Sequence, residues 1–219
     1  MDPGETGLHP AGRRERNKDA KRAAIFDAAA TLFEAHGFAA VTTQQIAERA
    51  DVAAGTVFRY ASSKAELLLM VYNVEFERAV ARGHDAAVHH EDRGAAVTAL
   101  LAPLIEWGSA HAENTLAYQR ELLFGTANER YRAEGLQLAA DLVARIAAII
   151  ARPEPFGDDA LQAARSVFGA LHLALIEVAT GVWHIADPVA TLSTQVRQII
   201  AGADRLARHP DDHGEEAQS

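Results

Sequence analysis

Cysteine is absent from the 219 residues. Its absence excludes disulfides, thiolate nucleophiles and thiolate metal sites outright. No apolar run reads as long enough to span a bilayer, and the basic N-terminal stretch has no apolar segment behind it of the kind a signal peptide needs. Glycine-rich phosphate loops, an HExxH pair and any recognisable nucleophile–base arrangement are also missing, so the chain does not read as an enzyme and no cofactor is expected. No segment reads as a strand, and no internal repeat appears. What remains is a composition of 49% hydrophobic and 23% charged residues, ordinary for a globular protein of the cytoplasm.

Positive charge is scarce, and its placement is uneven. The net charge is −9. Residues 1–64 carry nine Lys and Arg against eight Asp and Glu, whereas residues 65–219 carry twelve against twenty-two. Arg13, Arg14, Arg16, Lys18, Lys21 and Arg22 crowd into ten positions. A basic stretch alone is as often a solubilising tail. The asymmetry suggests a nucleic-acid-facing end joined to an acidic body.

The stretch from Thr42 to Lys64, TTQQIAERADVAAGTVFRYASSK, gives that end its chemistry. Thr42 and Gln45 form a capping box, in which hydroxyl and amide satisfy free helix-start donors. Ile46, Ala47 and Ala50 recur at helical spacing. Asp51-Val52 is the turn, since Asp tolerates the left-handed backbone that such a turn requires. A second short helix over Ala53–Tyr60 turns Val57 inward and leaves Thr56, Arg59 and Tyr60 outward. Ser63 and Glu66 make another capping box that opens a long helix. Two short helices about so tight a turn form the motif that places its second helix in a DNA major groove.

Thr43, Ile46-Ala47, Ala50-Asp51-Val52, Gly55-Thr56-Val57-Phe58-Arg59-Tyr60 and Lys64 fall in register with one family pattern. The segment resembles the DNA-binding domain of the tetracycline-repressor (TetR) family of bacterial regulators over roughly residues 15–70, about a quarter of the chain. Asp51 replaces the usual turn glycine, Phe58 the usual tyrosine and Ala61 the usual phenylalanine. Phe58 has no phenolic group to donate to a phosphate. The resemblance implies that Thr43, Thr56, Tyr60 and Lys64 occupy DNA-contact positions. Arg59 is the residue expected to read a base, because a guanidinium can donate two bonds to guanine. Gln44 is expected on a phosphate or an adenine, and Gly55, Arg14, Arg16 and Lys18 complete the expected DNA face.

The spacing predicts an all-α chain. Residues 1–12 read as a disordered N-terminal segment, 13–63 as a three-helix helix-turn-helix domain, 64–208 as a larger helical effector-binding and dimerisation domain, and 209–219 as a disordered tail. The first helix ends at Gly37. Later helices are expected at about 64–84, 92–111 with Pro103 inside and a kink there, 114–124, 128–151, from an Asp158 or Asp159 cap to 181, and from the Asp187 cap to 209. The last two carry wide apolar stripes. Gly169, Leu173, Ile176, Val196, Ile199 and Ile200 are the expected dimer-interface residues, although the same stripes would also serve packing within one subunit. The resemblance implies a four-helix bundle made by these helices from two copies.

A small-molecule cavity is likewise implied by the resemblance, within the helices from about Lys64 to Ala151. Met70, Phe76, Trp107, His111, Tyr118 and Phe124 are its expected lining, with Glu106, Asn114 and Arg120 as polar candidates. His84, His89 and His90 lie in an acidic loop that reads as solvated polar surface, so no metal is expected. The function expected from all of this is a homodimeric repressor of double-stranded DNA, released from a palindromic operator by a small effector. Two rivals remain: a DNA-binding factor with no ligand, and an all-helical enzyme or scaffold that keeps the motif.

Overall fold

The computed structural model describes residues 10–127, 129–154, 157–182 and 186–208, with residues 10–13 as backbone only. The expected tail at 209–219 lies outside them, as does His184, whose place beside an apolar helix reads as that of a core or pocket histidine. Of the expected disordered segment 1–12, residues 1–9 also lie outside, while Pro10 already begins a helix.

Among the described residues every regular element is a helix: α1 (Pro10–Ala40), α2 (Thr43–Arg49), α3 (Ala54–Val57), α4 (Lys64–Ala87), α5 (Arg93–Ala110), α6 (Ala112–Phe124), α7 (Arg130–Ala151), α8 (Asp158–Thr180) and α9 (Pro188–Arg208). Local chemistry sets most starts. Thr42 accepts from the Gln45 N–H while Gln45 reaches back to the Thr42 N–H at 2.8 Å, the full capping box. Asp92 caps α5 through the Ala95 N–H at 2.8 Å, and Asp187 caps α9 through the Ala190 N–H at 2.9 Å. The α8 start differs from expectation. Its cap is Gly157, and Asp158 and Asp159 sit inside the first turn, where negative charge suits the helix dipole instead. Pro103 sits inside α5 without ending it.

Two buried cores are joined by α4. The first gathers Ile25, Ala29 and Phe33 of α1, Ile46 of α2, Val57 of α3, the first turns of α4, and Tyr118 and Leu122 of α6. The second gathers the rest of α4 with α5, α7, α8 and α9. A boundary at residue 63/64 therefore cuts through the first core, because α4 and α6 complete it. At Gly83 the α4 backbone passes so close to Leu100 of α5 that a Cβ would strike the Leu100 carbonyl. Glycine lets these two helices meet.

One helix departs from the sequence expectation about long apolar runs. Among the described residues α8 is long and apolar enough to cross a bilayer, with only 28% of that stretch buried inside the subunit. It carries apolar residues on two faces. One packs on the second core through Ala164, Val167 and Leu171, and the other leaves Leu173 and Ile176 exposed.

Candidate nucleic-acid interface and effector cavity

The turn between α2 and α3 is closed by backbone alone. Asp51 adopts φ 52, its N–H donates to Glu48 O at 3.2 Å, and the Val52 N–H donates to Ala47 O at 3.0 Å. That pair of bonds is the Schellman arrangement, which usually needs glycine at the left-handed position. Asp fills it here. The recognition helix is shorter than the spacing predicts: α3 proper is one turn, and Arg59 and Tyr60 follow in tighter turns that bond back to Thr56 and Val57. Val57 is fully buried and anchors the segment.

Outward from that anchor, Gly55, Phe58 and Arg59 are exposed and Thr56 is partly exposed. A Cβ at Gly55 would meet nothing within 4 Å, so this side of α3 is open to close approach. The Arg59 side chain bonds to no group among the described residues. Gln44 is exposed but donates to Glu48 at 2.9 Å. Thr43 is half-buried at the start of α2. Arg14, Arg16 and Lys18 lie on a wholly exposed stretch of α1, where Lys18 pairs with Glu15 at 3.2 Å.

Two expected phosphate contacts are occupied internally. The Tyr60 hydroxyl donates to Lys18 O at 3.2 Å and ties the basic stretch of α1 to the recognition segment. Lys64 is the second. Its ammonium donates to Phe38 O at 2.8 Å, Val41 O at 2.9 Å and Ala39 O at 3.4 Å, and stands 4.4 Å from the Phe38 ring centroid. Its donors therefore cap the carbonyl end of α1, which carries the negative pole of the helix.

That carbonyl end is a junction. Gly37 breaks α1 with φ 77 and ψ 161, a conformation closed to other residues, and a Cβ there would collide with the Glu113 carboxylate. The first turn of α6 grips the break. Asn114 is buried; its Nδ2 donates to Phe33 O at 2.7 Å and its Oδ1 accepts from the Phe38 N–H at 2.6 Å. Glu113 accepts from the Ala39 N–H at 2.9 Å.

A second junction involves Glu66. Ser63 accepts from the Glu66 N–H at 3.1 Å, but the expected return bond is missing because the Glu66 carboxylate points elsewhere. It accepts from the Tyr131 N–H at 3.0 Å and the Arg132 N–H at 3.3 Å, and so caps α7. Burial pushes its pKa up, partly opposed by these two amides.

Above the junction, α4 to α8 enclose a narrow cavity of about 30 Å³. Ligand sites commonly offer roughly 300–1,000 Å³, so this one is nearly closed. Phe76, Trp107 and Tyr118 line it, together with leucines of α5, α6 and α8. No charged side chain is among the lining residues. The Tyr118 hydroxyl donates to Asn73 Oδ1 at 2.9 Å, while Asn73 donates to Tyr131 O at 2.8 Å. Sequence reasoning missed two polar lining residues, Thr115 and Gln119, whereas a third, His172, already reads from its apolar helix as a hydrogen-bonded core or pocket histidine. Thr115 and Gln119 lie at i and i+4 beside Tyr118 and Leu122, a polar pair on the apolar face of α6, and that was the available signal. Thr115 Oγ1 and both amide atoms of Gln119 are buried with no partner among the described residues. His172 Nδ1 donates to Phe168 O at 3.1 Å, and burial lowers its pKa, so the ring is neutral with Nε2 unprotonated.

The other expected lining residues fall elsewhere. Met70 is buried in the first core, and His111 borders a separate shallow groove beside Tyr72. Phe124 is 82% exposed and borders an open groove of about 480 Å³. Gln119 lines that groove as well as the cavity. Of the polar candidates, Asn114 is spent on α1, Arg120 pairs with Glu121 at 2.7 Å, and Glu106 is exposed.

The expected dimer residues separate into two groups. Gly169, Leu173 and Ile176 share the exposed face of α8, and Ile199 is half-buried on α9. Val196 and Ile200 are corrected: both are buried against the subunit's own second core and have no surface to offer a partner.

The sequence model described as "Bacterial regulatory proteins, tetR family" matches residues 25–71, from mid-α1 into α4. Residues 25–71 are similar throughout to the DNA-binding domain of that family. The HTH-type transcriptional repressor KstR of Rhodococcus jostii is 42% identical to the chain over 80 residues, 36% of this chain. That match spans about a third of the repressor, 35% of its length. Among solved structures, Thermus thermophilus FadR in complex with lauroyl-CoA resembles it with a TM-score of 0.66 and 21% identity, over 83% of this chain and 94% of that one. Bacillus subtilis FadR in complex with stearoyl-CoA gives a TM-score of 0.62 and 17% identity, over 83% and 98%. At these identities the likeness of the chain to both is one of fold.

Proposed function

We propose that this chain is a TetR-family regulator: a homodimeric repressor of double-stranded DNA in the cytoplasm, released from a palindromic operator by a small effector. The observation that carries this reading is the double duty of α6. Its first turn holds the broken end of α1 through Glu113 and Asn114, and its next two turns line the cavity through Thr115, Tyr118 and Gln119. A ligand that enlarges the cavity must displace lining helices, and a shift of α6 pulls on the DNA-binding unit. Ligand and DNA then favour different conformations, and affinity for DNA falls by the difference.

In this reading Arg59 reads a base, with Thr43, Gln44, Gly55 and Thr56 against the phosphate backbone. Arg14, Arg16 and Lys18 add charge along the arm. Two copies are needed because a one-turn recognition helix binds weakly alone, whereas a palindrome engages two. The exposed faces of α8 and α9 supply the pairing surface: Gly169 and Gly202 have open space at the Cβ position, and Leu173, Ile176 and Leu206 are exposed beside them. Small residues between large ones let helix axes approach closely. The FadR structures hold acyl-CoA molecules, and acyl thioesters are therefore among the compounds worth testing as effectors.

The deciding experiment is selection of genomic fragments by the purified protein at moderate salt. Enrichment of an inverted repeat supports a dimeric regulator that reads sequence; sequence-blind recovery overturns it. The near-closed cavity favours one rival, a DNA-binding factor with no ligand. Loss of affinity for the selected DNA on adding a compound that raises the melting temperature decides against that rival.

A further inference from the structure

The enclosed cavity combines two properties that conflict in a plain hydrophobic core. Its walls are aromatic and aliphatic, yet three polar atoms on one face of α6, Thr115 Oγ1 and Gln119 Oε1 and Nε2, are buried without a hydrogen-bond partner among the described residues. Thr115 is 3% and Gln119 5% exposed. An unsatisfied buried polar group costs stability, and three in one place are unusual unless something outside the chain satisfies them. The cavity lining carries no charged side chain, so an ionised ligand group seated there would have no counter-charge and would be strongly disfavoured. Gln119 also borders the open groove between the end of α1 and α6, so this one residue lies between the groove and the cavity.

We propose that Gln119 and Thr115 are the recognition groups of a ligand site for an uncharged, mainly hydrocarbon molecule carrying one hydroxyl or carbonyl oxygen. The amide offers both a donor and an acceptor, and the threonine hydroxyl a second of each, so a hydroxyl or carbonyl oxygen is paired whichever way it presents. His172 adds an acceptor at Nε2. The hydrocarbon part takes the place of the small void between Phe76, Trp107 and Phe168, and the lining must open to admit it. The inference rests on the reading of the chain as effector-responsive, and it supplies that reading with a chemical class.

The test uses the full chain and three probes of equal length: 1-decanol, decanoate and decylammonium. Calorimetry and thermal shift are expected to show binding of decanol at least about tenfold tighter than either ion, the worth of roughly one good hydrogen bond without a desolvated charge. Gln119→Met keeps side-chain length and removes both polar atoms; Thr115→Val keeps shape and removes the hydroxyl. Each is expected to raise the melting temperature of the ligand-free protein by roughly 2–4 °C and to weaken decanol binding about tenfold. Equal binding of the three probes, or variants that lower the melting temperature and leave decanol binding intact, would overturn the proposal. Operator affinity is measured in parallel. Decanol binding without DNA release leaves the ligand class standing and removes the effector role. DNA release by an ion alone, with no decanol binding, does the reverse.

Discussion

Asn114 of α6 accepts from the Phe38 N–H at 2.6 Å and, with its amide nitrogen, donates to Phe33 O at 2.7 Å, so one buried side chain closes both sides of the Gly37 break. Removing it leaves a backbone donor and acceptor unpaired in a buried place, at about 1–3 kcal/mol each. Asn114→Ala is expected to lose about 2–4 kcal/mol in urea denaturation and to blunt the effect of any effector on DNA binding. A loss below about half a kcal/mol would mean the junction relaxes freely and does not couple α6 to α1.

Lys64 sits at the position that family resemblance gives to a phosphate contact, but its ammonium is held by three carbonyls of the α1 end. Lys64→Met should therefore cost about 1–3 kcal/mol of stability, since bonds to charged groups are the stronger kind. The dependence of DNA affinity on salt should stay as steep as in the parent. A slope reduced by about one, with stability unchanged, would return Lys64 to the phosphates.

Arg59 offers the opposite case. It is exposed on the recognition segment and bonded to nothing among the described residues. Arg59→Ala should leave the melting temperature unchanged while weakening operator binding by about 1–3 kcal/mol and relaxing preference at one base pair. Binding to a set of operator variants measures both. Uniform weakening across the set would make Arg59 a phosphate contact instead.

Glu66 tests the junction of α4 with α7 through pH. Burial raises its pKa above the ordinary carboxylate value, so the folded state holds the proton more tightly than the unfolded chain does. Stability from this group is therefore greatest below about pH 4.5 and falls as pH rises through the window up to its own raised value. Glu66→Gln keeps an oxygen for the Tyr131 and Arg132 amides and removes the charge. The variant should equal or exceed the parent at neutral pH, the difference vanishing in acid. Denaturation curves at pH 4 and pH 7.5 decide the sign; a variant less stable at neutral pH would show that attraction of the charge to the α7 amides outweighs its desolvation.

The all-helical fold and the helix-turn-helix segment were legible because their signals are local. The Thr42–Gln45 box, the Asp92 and Asp187 caps and the left-handed Asp51 each depend on residues three to five positions apart, a range within which sequence spacing fixes geometry. Helical periodicity likewise marked Val57 as core and Arg59 as surface. What sequence spacing could not settle was where a long polar side chain goes when partners compete. Glu66 left its own capping box for amides 65 and 66 residues away, Lys64 turned to carbonyls 23 to 26 residues back, and Asn114 reached α1 across 76 residues and more. The cavity belongs to the same class. Its walls come from five helices, so Gln119 and Thr115 became a site only when packing took them out of water without giving them partners. Val196 and Ile200 were settled the same way. Their periodicity announces a buried face, and only the packing of α9 on its own subunit decided which neighbour buries it.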